Sequence, residues 1–204
     1  VYKVAFIEGQ NEIPEIEDFL RMTRREPVEL SYDNQTFTES DLVEADSSFF
    51  NFFSIPLIKG DSKNILNSPH KLVLSESAAK KIFDNETPID KIIKVGSDTI
   101  GYIVSGVMAD IPENSHFNAD MISSFMTNPR SSEQIWTNNS FSTYLLLRKN
   151  TSYVRVDEKI SELINKYIGA ELQKEMGITM KDWVARGNKY RYYLQKLSDI
   201  HLDL

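Results

Sequence analysis

Strand and helix patterns alternate at the start of the chain. Val1–Ile7 has the apolar character of a strand, and Pro14 then opens a segment with apolar residues at helical spacing. Acidic residues come early in this segment and arginines come late, which suits the helix dipole. Val28–Tyr32 predicts the next strand, so the chain begins with a strand–helix–strand unit. The helix is predicted from Ile16, Phe19, Leu20 and Thr23.

An aromatic segment follows. Phe37–Asp46 contains a strand, and Ser47 is predicted to cap a short helix that runs through Phe53. Four phenylalanines fall within five residues, and we favour burial in the core over a hydrophobic ligand patch. These four are Phe49, Phe50, Phe52 and Phe53.

The stretch Ser75–Phe117 carries the clearest local signals. Ser75 is predicted to cap a helix through Phe83, because its apolar residues share one stripe and Glu76 precedes the lysines. Gly106 lies inside a strand pattern, which indicates a bulge or a close backbone approach. The strands predicted in this part of the chain are Ile92–Val95, Tyr102–Met108 and Met121–Phe125.

A second strand–helix–strand unit ends the chain. Ser142–Arg148 predicts a strand, and Thr151 or Ser152 then caps an amphipathic helix that Gly169 closes. Tyr190–Leu194 predicts the last strand, with alternate residues on one face.

The two units, near residues 1–32 and 142–196, predict an α+β fold. Such units pair into a split βαβ, ferredoxin-like lobe built from both chain ends. The first lobe is predicted at residues 1–46 and 136–204, and an inserted mixed α/β lobe at residues 47–135. This arrangement leaves both chain ends in one lobe.

The composition of the chain limits the classes of function that it can have. The chain is 41% hydrophobic and 26% charged, and its net charge of −7 argues against nucleic acid or an anionic membrane as its general partner. It has no cysteine, which excludes disulfides and thiolate metal sites. Apolar runs reach only about four residues, far short of a membrane span. Because the chain starts inside a strand pattern and stops abruptly at Leu204, we expect a domain cut from a longer protein.

The histidines are the first candidates for chemistry. His116 lies near Asp110 and Ser115, and a hydrolase would need a nucleophile, a base and an orienting acid to converge. The segment Asp110–His116 is more typical of a turn, and no nucleophile-elbow pattern is present. We therefore predict no catalytic residue, and a hydrolase centred on His116 stays the alternative.

Metal and cofactor sites are not predicted either. Asp199 and Asp203 flank His201, but this segment lacks the helical pair of a zinc-protease motif. The third histidine is His70. The glycine patterns that cradle phosphates are absent. A basic-aromatic cluster at Arg186–Arg191 is interpreted as a solvated strand edge, with contact to phospholipid headgroups or a partner as the alternative.

Three ordered phrases resemble the extracytoplasmic core domain of MacB/FtsX-type ABC transporter permeases. Ser75–Phe117 resembles the family phrase with Ser-Glu, Ala-Lys-Lys-Ile-Phe, Gly-Val and Asp-x-Pro-x-Asn-Ser-His-Phe. Asp46–Asp61 resembles its aromatic phrase, and Ser198–Leu202 resembles its closing Asp-Ile-His-Leu. The chain departs from the family at Asp84 and Asp90, where glycine is usual.

The resemblance implies a permease in the bacterial inner membrane, with this domain on the periplasmic side. It implies a membrane-proximal "porter" lobe from both chain ends and an inserted "sabre" lobe. The implied role is non-enzymatic: coupling cytoplasmic ATP hydrolysis to conformational change and to partner or substrate handling outside the membrane, in efflux or mechanotransmission. No cofactor is implied.

The implied partners are a cytoplasmic ABC ATPase domain or subunit, a second permease copy and a periplasmic adaptor protein, with no nucleic acid. A free-standing extracytoplasmic ligand-binding or sensor module, with a pocket at Phe49–Phe53, is the alternative function.

Overall fold

A mixed sheet with helices makes up the part of the chain that the computed structural model describes, which is residues 12–133, 140–188 and 194–199. This confirms the predicted α+β class. The strands are β1 (Ile16–Arg24), β2 (Val28–Tyr32), β3 (Gln35–Ser40), β4 (Leu42–Ala45), β5 (Leu57–Gly60), β6 (Lys71–Ser75), β7 (Ile92–Val95), β8 (Tyr102–Met108), β9 (Met121–Ser124) and β10 (Ser142–Leu147). The helices are α1 (Phe49–Phe53), α2 (Glu76–Phe83), α3 (Tyr153–Met176) and α4 (Met180–Ala185), with 3₁₀ turns at Phe125–Thr127, Pro129–Ser132 and Leu197–Asp199.

The chain divides into two compact units. The end unit comprises Val1–Phe19 and Glu133–Leu204, and the middle unit comprises Leu20–Ser132. These boundaries differ from the lobe boundaries predicted at residues 46/47 and 135/136. The physical reason is strand pairing, because β2 pairs with β7 and β4 pairs with β9, which brings β2 to β4 into the middle unit.

The sheet of the middle unit mixes parallel and antiparallel pairs. Its strands follow the order β4, β9, β6, β8, β7, β2 and β3, with the last residues of β1 beside β4 and with β5 beside β8. The pairs β4–β9 and β6–β8 are parallel. Helix α2 packs on one face, over a core formed by Leu30, Leu42, Leu72, Leu74, Ala78, Ala79, Ile82, Phe83, Ile93, Val95, Tyr102, Val104, Val107 and Met121.

Helix α2 forms as predicted. The Ser75 hydroxyl accepts a hydrogen bond from the Ala78 N–H at 3.1 Å, which satisfies one of the free donors of the first turn. Ile82 and Phe83 are buried, and each such side chain contributes about 1.5–3 kcal/mol on leaving water. The helix ends at Asp84, in a backbone conformation with φ of 49°.

Gly106 lies at both a bulge and a close approach, as its place in the strand predicts. The register between β6 and β8 shifts so that Ser105 has no partner on β6. A Cβ on Gly106 would lie 2.4 Å from Ile65 Cδ1 and 2.9 Å from the Lys59 carbonyl oxygen. Only a glycine leaves room for the β5 backbone at this point.

The helix predicted after Pro14 is wrong, because Ile16–Arg24 forms strand β1. Ile16 and Leu20 fit both a helical spacing and an alternating one, and Met22 continues the alternation on the buried side. Pairing with β4, in which Met22 lies opposite Ala45, decides for the strand.

The core of the end unit is formed mainly by α3. The buried residues in it are Ile13, Ile16, Val156, Ile160, Leu163, Ile164, Ile168 and Leu172. Helix α3 does not close at Gly169 as predicted but continues to Met176 and ends at Gly177, where φ is 65°. Burying Leu172 contributes more than the roughly 1 kcal/mol that an interior glycine costs.

The predicted cap of α1 is off by one residue, because Ser48 rather than Ser47 holds its N-cap position. Ser152, one of the two caps predicted for α3, holds the N-cap position of that helix. Neither serine makes a side-chain capping bond. The predicted strand Val1–Ile7 lies outside the described residues, as does Tyr190–Leu194 except for Leu194 itself. The ferredoxin-like pairing of the chain ends therefore stays a prediction.

Candidate functional site

Asp110, the acid of the hydrolase alternative, fixes the start of helix α2. Its two carboxylate oxygens accept hydrogen bonds from the Ser77 N–H at 3.0 Å and from the Ser77 hydroxyl at 2.7 Å. These bonds from Ser77 lower the pKa of Asp110. Ser115 belongs to a turn, because its N–H donates to the Pro112 carbonyl at 2.9 Å. These contacts give Asp110 and Ser115 structural roles.

His116 lies in an aromatic cluster. Its ring centroid is 4.8 Å from that of Phe117 and 5.6 Å from that of Phe53. Phe49 contacts the rings of Phe50, Phe53 and Phe117 at centroid distances of 5.2, 5.3 and 5.8 Å. Edge-on contacts of this kind stabilise packed aromatic side chains.

The phenylalanines of α1 divide into two pairs by burial. Phe49 and Phe50 are buried in the core, whereas Phe52 and Phe53 are half-buried. The favoured interpretation, burial in the core, is confirmed for Phe49 and Phe50. A pocket at this helix would have to open between rings that contact one another.

The remaining candidates do not assemble a metal centre within the described ranges. No group of three or more histidine, aspartate or glutamate side chains lies close enough there to hold an ion. His70 and Asp199 are far apart along the chain. The Asp199 carboxylate accepts a hydrogen bond from the Ser198 hydroxyl at 2.7 Å. His201 and Asp203 are outside the described residues, as are residues 189–191 of the basic cluster Arg186–Arg191.

A groove of about 130 Å³ lies in the end unit. Drug-sized ligands occupy roughly 300–1,000 Å³, so this groove is too small for one. Lys196 Nζ lies 5.2 Å from the centroid of the Tyr153 ring, at its rim. The groove is lined by Leu145, Leu147, Tyr153, Leu194, Gln195, Lys196 and Leu197.

The most developed polar arrangement of the middle unit surrounds Arg25. We call it the Arg25 cluster, and its members are Arg25, Glu44, Asp98, Tyr102 and Asn128. Arg25 Nη1 lies 2.9 Å from Asp98 Oδ2 and 3.9 Å from Glu44 Oε1. The Tyr102 hydroxyl donates to the same Asp98 oxygen at 2.6 Å, and Asn128 Nδ2 donates to Glu44 Oε2 at 2.6 Å.

Different elements bring these side chains together. Arg25 follows β1, Glu44 lies in β4, and Asp98 lies in the turn between β7 and β8. His70 lies beside the cluster, because its ring is 5.2 Å from that of Tyr102. Its backbone has φ of 59° and its N–H donates to Thr127 Oγ1 at 2.9 Å.

Burial and hydrogen bonds shift the pKa values of Glu44 and Asp98 in opposite directions. Burial raises the pKa of Glu44, and the Asn128 hydrogen bond opposes that rise only in part. Burial also raises the pKa of Asp98, but the hydrogen bonds from Arg25 and Tyr102 outweigh it and lower that pKa overall. Burial and the Asp98 bond raise the pKa of Tyr102 well above its ordinary range, which keeps the phenol protonated.

Sequence analysis did not identify the Arg25 cluster. Arg25, Glu44 and Asp98 are far apart along the chain, and no local pattern connects them. The one available signal was Glu44, a carboxylate inside the apolar run Leu42–Ala45. A charged residue at a position of that kind needs a partner from elsewhere in the fold.

No helix in the described part of the chain combines the length and the apolar character that a membrane span requires. A comparison with curated proteins gave no match.

Solved structures of permease and transporter domains share this fold. A domain of a protein described as a permease from Porphyromonas gingivalis has a TM-score of 0.75 and 25% identity, over 92% of this chain and 75% of its own. The periplasmic region of MacB from Actinobacillus actinomycetemcomitans has a TM-score of 0.62 and 18% identity, over 94% and 77%. The extracellular domain of the noncanonic ABC-type transporter YknZ from Gram-positive bacteria has a TM-score of 0.57 and 15% identity, over 93% and 87%.

The family model of the MacB-like periplasmic core domain matches residues 2–163, most of the 204-residue chain. The match includes the stretch Ser75–Phe117 and the whole middle unit. The resemblance found in the sequence is thereby confirmed. This chain belongs to the family of MacB-like periplasmic core domains, the extracytoplasmic domains of ABC transporter permeases.

Proposed function

We propose that this domain couples ATP hydrolysis on the cytoplasmic side to the handling of a substrate or partner protein outside the membrane. The observation that carries the proposal is the family match over residues 2–163, a family named for the periplasmic part of MacB. The ATPase would be a separate cytoplasmic domain or subunit. The domain would act as a non-catalytic lever, in efflux or in mechanotransmission.

We assign the porter-like, membrane-proximal role to the part of the chain built from both ends. The end unit contains both termini, as a loop tethered to the membrane at both ends requires. The inserted part would be the sabre-like lobe, which reaches the partner. Leu20–Ala45 belongs to the middle unit by its strand pairing, so we place it in the sabre-like lobe.

The lever would move as a rigid body. Rotation of packed domains about an interface is one of the common ways in which a nucleotide-driven change is transmitted. A second permease copy would supply the facing domain, and a periplasmic adaptor protein would be a further partner. The packed core around α2 supports this proposal, because packed cores resist continuous deformation.

The absence of cysteine offers a direct test of this movement. Lys63 in the middle unit and Glu175 in the end unit are exposed, so Lys63→Cys and Glu175→Cys each provide one thiol for a spin label. In the full-length permease with its ATPase, we expect the distance between the labels of the two copies to change with ATP. A hydrolysis-deficient ATPase is the matched control.

Two results would overturn the proposal. One is an unchanged distance distribution throughout the ATP cycle at both labelled positions. The other is stoichiometric ATP binding or hydrolysis by the isolated domain. Labelling of Lys63→Cys by a membrane-impermeant maleimide in cells with a permeabilised outer membrane checks the side of the membrane independently.

A further inference from the structure

Arg25 lies near two carboxyl groups, Asp98 and Glu44, at unequal distances. It bonds to Asp98 at 2.9 Å, whereas Glu44 lies 3.9 Å away, beyond hydrogen-bonding distance. One guanidinium cannot fully neutralise two carboxylates at once. The second carboxyl group therefore has to lose its charge or draw Arg25 away from the first.

Compared with Asp98, Glu44 lies in an environment that is less favourable for a negative charge. Its residue is only 5% exposed, and β4 lies between β1 and β9 in the sheet. Among the described residues, the hydrogen bond to its carboxyl group comes from Asn128, a neutral donor. A buried carboxylate without a bonded cation favours the neutral, protonated form.

Ser123 adds no hydrogen bond to the Glu44 carboxyl group. It is the register partner of Glu44 on the neighbouring parallel strand β9, and the residue is fully buried. Its hydroxyl is one of three buried side-chain polar atoms of the described chain that have no hydrogen-bond partner. Paired residues of adjacent strands lie about 5 Å apart on the same face, so this buried neighbour of Glu44 offers its carboxyl group no hydrogen bond.

We propose that Glu44 is a proton-controlled latch for the β7–β8 turn. With a proton on Glu44, Arg25 stays on Asp98 and holds the turn. When that proton leaves to solvent, the new carboxylate draws Arg25 away from Asp98 and the turn loosens.

The groups that face this latch come from four other segments. Arg25 follows β1, Asp98 and Tyr102 belong to the β7–β8 region, Asn128 follows the first 3₁₀ turn, and His70 precedes β6. Tyr102 stays protonated and Asp98 stays ionised, because their pKa values move away from neutrality. Glu44 is left as the carboxyl group of the cluster whose pKa is raised.

The latch makes the middle unit responsive to pH on the extracytoplasmic side. The pKa of Glu44 is raised in the folded state, so folding favours its protonated form. The stabilisation is complete below the ordinary pKa of 4.5 and is lost as the pH rises through the folded-state pKa. Lowering the pH through the folded-state pKa of Glu44 would tighten the Asp98 turn, and raising the pH through it would loosen the turn.

Carboxyl-carbon NMR of the 204-residue domain is the direct test. We expect Glu44 to titrate above 4.5 in the wild type. Asp98→Asn frees Arg25 for Glu44 and should lower the pKa of Glu44. Glu113→Gln, an exposed loop change, is the control and should leave it unchanged.

Amide exchange of Asp98 reports on the turn, because its N–H donates to the Val95 carbonyl at 3.1 Å. Protection factors correct for the intrinsic pH dependence of exchange. In the wild type, we expect the protection factor of the Asp98 amide to be several-fold lower at pH values above the Glu44 pKa than at pH values below it. In Glu44→Gln, which keeps the Asn128 bond, the protection factor should not change with pH. A Glu44 pKa at or below 4.5, or the same pH dependence in Glu44→Gln, would overturn the proposal.

Discussion

Replacing Gly106 by alanine tests the close approach of β5 and β8 in quantitative terms. The added Cβ would meet two neighbours, Ile65 Cδ1 at 2.4 Å and the Lys59 carbonyl oxygen at 2.9 Å. The Ile65 side chain is buried, so its tip can move only by displacing its neighbours. The carbonyl belongs to β5, so it can move only if that strand separates from β8.

The magnitude follows from these contacts. Overpacking of a close-packed site costs about 1–3 kcal/mol. Alanine recovers about 0.4–1 kcal/mol by restricting the unfolded chain. Because the Lys59 carbonyl is backbone, we expect the upper part of the overpacking range, about 2–3 kcal/mol, so the net loss in the free energy of unfolding is about 1–2.6 kcal/mol. With a urea m-value of about 3 kcal/mol/M, the midpoint falls by about 0.3–0.9 M.

Gly101→Ala is the matched control, in the same unit. Its Cβ would lie 2.4 Å from Ile92 Cγ2, but Ile92 is 61% exposed and its side chain can turn into solvent. The nearest backbone atom, the Ile93 carbonyl oxygen, is at an ordinary 3.6 Å. We expect its urea midpoint to stay within about 0.2 M of the wild-type value.

Ile65→Val separates the two contacts of Gly106, because it removes Cδ1 and leaves the Lys59 carbonyl. The Gly106→Ala cost should fall in the Ile65→Val background by about 0.5 kcal/mol or more, which is the coupling energy of neighbouring residues. Equal midpoints for Gly106→Ala and the wild type, or an equal loss in Gly101→Ala, would refute the steric reasoning.

Three further predictions concern the same unit. Ser75→Ala should lower the free energy of unfolding by about 0.5–2 kcal/mol in urea titrations, because α2 loses its capping bond. Phe49→Ala should cost about 3–5 kcal/mol, whereas half-buried Phe52→Ala should cost clearly less; equal losses would contradict the burial pattern. Asp110 has a lowered pKa, so its bonds to Ser77 stabilise the fold above its unfolded-state pKa and weaken as the pH falls through the folded-state value. Asp110→Asn should flatten this acid-side loss in pH-dependent thermal unfolding.

Local sequence signals predicted helices and strands correctly where they agreed with the surrounding sheet. The helix Glu76–Phe83 and the strands Ile92–Val95 and Tyr102–Met108 lie at their predicted positions, because cap, stripe and turn residues all fall within about ten residues. The close approach at Gly106 was visible for the same reason, since a glycine inside a strand pattern usually marks a bulge or a tight backbone contact.

The secondary-structure predictions were wrong where tertiary contacts decide between two possible patterns. Ile16 and Leu20 fit a helix and a strand equally well, and the neighbouring strand β4 decides between them. Gly169 has the character of a helix end, yet burial of Ile168 and Leu172 carries α3 past it. Neither outcome is contained in the segment itself.

The Arg25 cluster could not be predicted because it depends on register. Its charged members meet only after β1, β4 and the β7–β8 turn have taken their places in one sheet. A shift of one residue in β4 would turn Glu44 to the opposite face, away from Arg25. Sequence patterns locate strands better than they locate the partners across them.

The division of the chain also implies an order of folding during synthesis. The paired residues of the middle unit's sheet run from Met22 in β1 to Ser124 in β9, so this unit can complete its sheet as soon as β9 has emerged. Ile13 and Ile16 belong to the other core and must wait for α3, which begins only at Tyr153. Until then two apolar side chains at the start of the chain have no native partners. This segment therefore leaves apolar surface uncovered until the end unit assembles.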